Sequence, residues 1–148
     1  MSAPFNFFDA PTDSGMNSNS RRLILNSYSH RRGPLRPAPT EGLLFDVRGV
    51  PNPPRELRAE YNGTSPELRE YLMQDEAARK RVGDIAAAIN SHLEGIRQRG
   101  DHVDQVTVGL GCELGKNRSV ACAEELARLR WPEGWTVEVR HRELPRPR

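Results

Sequence analysis

A chain of 148 residues has length for one compact domain and one core. Hydrophobic residues make up 36% and charged residues 28%, and no apolar run approaches the roughly 20 residues of a membrane helix. The net charge of +2 is too small to imply a nucleic-acid partner through bulk charge alone.

The first twenty residues are rich in Ser, Asn, Asp and Pro and poor in aliphatic side chains, so residues 1–20 are expected to form a disordered leader. Phe5, Phe7 and Phe8 are its candidate docking residues. Leu23, Ile24, Leu25 and Tyr28 read as a first strand, ended by polar SHRRGP. An extended proline-containing loop follows over residues 34–41. Leu43, Leu44, Phe45 and Val47 then read as a second, buried strand, with Asp46 and Arg48 at its exit, where α/β sheets present functional side chains.

A short helix is expected over Ser65 to Asp75 and a longer one from about Glu76 to Gln98, with Val82, Ile85, Ile89, Leu93 and Ile96 on one stripe and Gly100 as its stop. Val103, Val106, Val108 and Leu110 form a β-branched strand ending at Gly111. A helix from about Arg118 to Arg130 and a strand from Thr136 to Arg142 complete a βαβ unit. The fold class is therefore α/β: a single three-layer domain with a small, mainly parallel sheet flanked by helices, spanning 21–144. Residues 145–148 continue a basic end, RHRELPRPR, that reads as a solvated tail or as a surface for RNA or acidic partners.

The chemistry concentrates between strand and helix, in GLGCELGKNRS, residues 109–119. Free amides at a helix start favour an anion, and Gly115 lets the backbone curl into a nest. Lys116 and Arg118 add cations, Ser119 a cap or hydrogen bond, and Glu113, Leu114 and Asn117 complete the loop. Leu110 and Asn117 break the Walker A pattern, which disfavours a nucleotide hydrolase. Cys112 and Arg118 do match the C-x5-R spacing of cysteine-dependent phosphatases, where a thiolate attacks phosphorus. Asp46, Asp101 and Asp104 are the candidate acids. Against that reading, Glu113 repels both thiolate and substrate and Leu114 crowds the amides. Cys112 packing at a strand end is the alternative, and Cys122 falls on the helix stripe.

With four histidines and two cysteines at no zinc-ligand spacing, neither a metal nor another cofactor is expected. The two cysteines give no disulfide framework, and the start of the chain lacks the pattern of a secretory signal. An intracellular, cytoplasmic location is the default.

The stretches LFDVRGVPNP (44–53), VTVGLGCELGKNRSVACAEELA (106–127) and VRHREL (139–144), with SYSHRRG (27–33) more weakly, resemble the C-terminal domain of the RapZ family of RNase adapter proteins. The resemblance implies a fold similar to a phosphofructokinase subdomain, binding of a sugar phosphate, contacts with small RNA or protein partners, and homo-oligomers. Carried over by position, the ligand site draws on Glu113, Leu114, Gly115 and Arg118, with Arg31 or Arg32 as a second clamp. Arg140, His141 and Arg142 fit the family's RHR and line its ligand or RNA surface. The family has Thr-Gly where this chain has Glu113 and Leu114, which leaves the identity of the sugar open. The expected function is a non-catalytic sensor of a phosphorylated small molecule, with the cysteine phosphatase as its rival.

Overall fold

The computed structural model describes residues 20–145. The expected leader with its three phenylalanines, and the tail arginines Arg146 and Arg148, lie outside the described residues.

Strand β1 (Arg21–Ser29) carries Leu23, Ile24 and Leu25 with no exposure, the continuous apolar run of a strand covered on both faces. A 3-10 turn, His30–Arg32, follows, started by the Ser29 hydroxyl accepting the Arg31 N–H at 3.1 Å. After β2 (Leu44–Asp46) come α1 (Arg55–Glu60), α2 (Pro66–Leu72) and α3 (Glu76–Arg99). Asp75 caps α3 by accepting the Ala78 N–H at 3.0 Å, and Gly100 ends it in the left-handed region. The chain then forms β3 (Gln105–Cys112), α4 (Arg118–Ala127) and β4 (Trp135–His141).

All strand pairs are parallel, in the order β2-β3-β1-β4. The α/β class with a small parallel sheet is thus as the sequence predicts. Because strand side chains alternate, Leu23 and Leu25 of β1 share a face with Val106, Val108 and Leu110 of β3. That face makes one core with Leu68 and Leu72 of α2, Ile85, Ile89 and Leu93 of α3, and Leu126 of α4. Over the opposite face lies the proline-containing loop, with Leu35 and Pro39 against Gly109.

Two expectations need correction, and one helix, α1, was not expected. The second strand is not buried: it is a three-residue edge with Leu44 57% exposed, and the buried residues are Leu43 and Val47 on either side of it. Helix α1 has no buried residue, so it left no apolar stripe to read. Helix α4 stops at Ala127 rather than Arg130, where the Trp131 indole N–H donates to the Leu126 carbonyl at 2.9 Å.

Truncating Ile89 to Ala is expected to cost about 2–5 kcal/mol in urea denaturation, since a fully buried side chain leaves a cavity. Tyr71→Ser, on the exposed side of α2, is expected to stay within about 0.5 kcal/mol.

Candidate functional site

The β1–β3 register sets Ser29 beside Cys112, so the turn after β1 and the loop after β3 leave the sheet side by side. The first connection runs toward β2 and the second toward β4, on opposite sides of the pair. Each connection must pass over the other's strand to get there, so the two loops cross at the carboxyl ends of the pair, the end at which open parallel sheets hold ligands. A cleft of about 170 Å³ lies there. Arg31, Arg58, Lys116 and Arg118 bring four cations to its lining and Glu113 one carboxylate; Asn52, Cys112, Leu114 and Asn117 complete it.

The loop curls around a sulfur atom. Cys112 Sγ accepts the N–H groups of Gly115 and Ser119, each at 3.3 Å, and lies 3.2 Å from Ser119 Oγ. Gly115 makes the curl possible with φ 75°, and a Cβ there would stand 2.8 Å from the Ser29 nitrogen. From outside the loop, the Gly63 N–H donates to the Lys116 carbonyl at 2.9 Å. The amide N–H groups of Leu114, Lys116, Asn117 and Arg118 donate to no protein acceptor among the described residues. Unpaired amides at and just before the start of a ten-residue helix leave that end of α4 positively polarised.

The side chains divide into committed and free. Arg31 Nε donates to Glu113 Oε2 at 2.6 Å, and Arg48 Nη1 stands 3.8 Å from Glu113 Oε1. The Arg31 hydrogen bond, chiefly, holds the Glu113 carboxyl below its usual range. Arg48 also grips Asp46 through Nε at 3.1 Å and Nη2 at 2.9 Å, and this hydrogen bonding takes the Asp46 pKa down to about 2. Arg118 acts as a strut, donating from Nη1 to the carbonyls of Arg48 at 2.7 Å and Val50 at 3.3 Å. Lys116 is exposed, and among the described residues its ammonium has no partner.

Of the residues singled out by sequence, Arg31, Cys112, Glu113, Leu114, Lys116, Asn117 and Arg118 therefore meet at one cleft. Arg32 is exposed and does not line it. Gly115 and Ser119 are buried around the sulfur, and Asp46 and Arg48 stand behind Glu113. Asn52 and Arg58 were not anticipated as site residues. Asn52 lies in the PNP stretch that signalled the family, whereas Arg58 sits on α1, which carries no sequence pattern.

The RHR segment lies elsewhere. Arg140 pairs with Glu138 at 2.7 Å. His141 is held between Ser27 Oγ and Glu124 Oε2, 2.7 Å from each. Arg142 donates to the carbonyls of Ser29 at 3.3 Å, Gly33 at 2.9 Å and Pro34 at 3.0 Å, while Glu143 accepts the Ser29 N–H at 3.0 Å. These contacts brace the end of β1, from which Arg31 reaches the cleft.

Gly115→Ala is expected to destabilise the fold by about 1–3 kcal/mol in urea denaturation, through both its φ and its crowding. The folded pKa of Asp46 lies below its unfolded value of about 4, so its contribution is present above that pH and is lost as pH falls toward 2. Carboxyl NMR should show the Asp46 titration moving back toward about 4 in Arg48→Met.

A family model described as the RapZ C-terminal domain matches residues 21–145. A nucleotide-binding protein of Corynebacterium aurimucosum is 36% identical over 129 residues, which is 85% of this chain and 42% of that protein. Proteins of the same description from Corynebacterium diphtheriae and Mycolicibacterium smegmatis are 35% and 36% identical, over 89% and 84% of this chain. The chain spans 43% and 42% of their lengths, less than half of each. With the match covering the whole sheet and both loops of the cleft, the chain belongs to the RapZ C-terminal domain family.

Proposed function

We infer that the chain is a non-catalytic binding domain for a phosphorylated small molecule of the sugar-phosphate class, whose occupancy is passed to an RNA or protein partner. The observation that carries this reading is the cleft at the ends of β1 and β3, with four cations against one carboxylate and unpaired amides at the start of α4. A phosphate monoester supplies several acceptors for such donors. The approximate volume of 170 Å³ suits a small ligand rather than a chain of nucleotides.

Glu113 is the feature a ligand must negotiate. It already neutralises Arg31, so an incoming phosphate competes with an internal carboxylate for the same guanidinium. Titration calorimetry with inorganic phosphate and a panel of hexose phosphates is the direct test. Saturable binding is expected, weakened about tenfold or more in Arg31→Ala/Lys116→Ala and strengthened several-fold in Glu113→Gln. Phosphate esters that leave both the heat and the melting temperature unchanged would sink the reading.

A phosphatase reading has one observation in its favour, the two amides and the hydroxyl gathered around Cys112 Sγ at the start of a helix. In that chemistry the thiolate forms an S–P bond while the departing oxygen takes a proton from an acid, and water then cleaves the phosphocysteine. Among the described residues Glu113 is the carboxylate that lines the cleft, and the Arg31 hydrogen bond lowers its pKa, which disfavours the protonated form a general acid needs. The sensor reading predicts no hydrolysis of an aryl phosphate at mildly acidic pH. Turnover abolished by Cys112→Ser would replace it with the enzyme.

A further inference from the structure

The turn between α1 and α2 packs against the first turn of α4. Asn62 Oδ1 accepts the Thr64 N–H at 2.8 Å and the Thr64 hydroxyl at 2.6 Å, and the Ser65 N–H donates to the Asn62 carbonyl at 2.9 Å. These bonds close the turn on itself, a conformation that an Asn side chain favours. They leave over the Gly63 N–H, which goes to the Lys116 carbonyl at 2.9 Å. Gly63 does not have a positive φ, so glycine is needed there for close approach. A Cβ would stand 2.5 Å from both the Asn117 carbonyl oxygen and the Ala121 nitrogen.

A buried arginine seats this turn. Arg69 of α2, only 6% exposed, donates from Nη1 to the Thr64 carbonyl at 2.5 Å. Its Nε lies 3.5 Å from Glu125 Oε2 on α4, near enough for charge attraction though not hydrogen-bonded. A guanidinium out of water depends on the few partners it has. Here they tie the turn to the helix that starts at the cleft.

The consequence falls on the peptide between Lys116 and Asn117. It is trans, and a trans peptide sets its C=O and N–H in opposite directions. With the Lys116 carbonyl drawn to Gly63, the unpaired Asn117 N–H is turned away from it. Lys116 and Asn117 line the cleft, whereas Gly63 does not.

We propose that Gly63 is a positioning residue of the cleft: seated by Arg69, it orients the peptide between Lys116 and Asn117 so that the Asn117 N–H meets the bound anion. This rests on the phosphate-binding reading above and extends it to two residues outside the loop.

Calorimetry of the full chain with inorganic phosphate, paired with NMR of the backbone amides, tests it. In the unaltered chain the Asn117 amide resonance is expected to shift on saturation with phosphate. Arg69→Met, which introduces no backbone clash, is expected to weaken phosphate binding about tenfold and to shrink that shift. Gly63→Ala is expected to weaken binding at least as much. Ile89→Ala controls for lost stability alone, since its cavity lies in the core, and is expected to bind phosphate as the unaltered chain does. Circular dichroism shows which variants are folded at the assay temperature, and Arg69→Met carries the test if Gly63→Ala is not. An unaltered chain that binds no phosphate overturns this proposal together with the reading beneath it. Binding that survives undiminished in Arg69→Met or folded Gly63→Ala overturns the proposal alone. So does an Ile89→Ala chain weakened as much as they are, or an Asn117 amide that phosphate leaves unmoved.

Discussion

The parallel pairing of β1 with β3 is the constraint from which the rest of the site follows. Eight residues of register, Arg22 with Gln105 through Ser29 with Cys112, fix where two distant loops leave the sheet. A slip of one residue would turn Leu23 and Leu25 out of the core they share with Val106 and Val108. The packing that specifies this register also brings Arg31 within hydrogen-bond reach of Glu113. The hydroxyl of Ser29 reinforces the match by donating to the Glu113 carbonyl at 2.8 Å.

The cleft divides its charges between holding and waiting. Arg118 spends hydrogen bonds on two carbonyls and Arg31 is engaged by a carboxylate, while Lys116 and the loop amides remain unspent. Around Cys112 the loop turns inward, and Ser119 is used up in that contact. The loop's shape is thus maintained from within the protein.

Much of this was legible in the sequence because it rests on periodic or local signals. The apolar stripe of α3, the β-branched run of β3 and the GKNRS turn each carry their own pattern, and the loop residues came together as their order suggested. Legibility failed where the outcome depends on tertiary neighbours. Leu44 looks as buried as Leu43 until β2 proves to be an edge. Arg31 and Arg32 are chemically equivalent in sequence, and only the geometry of a three-residue turn separates them. His141 and Arg142 read as a basic surface, yet each is drawn into the ends of β1 by partners more than a hundred residues away in the chain.

The strand order also bears on how the chain reaches this state. β1 enters first but sits between β3 and β4, both of which follow it by more than seventy residues. Neither neighbour can pair with it until the intervening helices have been traversed, so its apolar run waits on loop closures of high entropic cost. The cleft, built on that same pairing, cannot form before those closures are made. Conditions that slow long-range closure would delay a competent site while leaving local helices free to form.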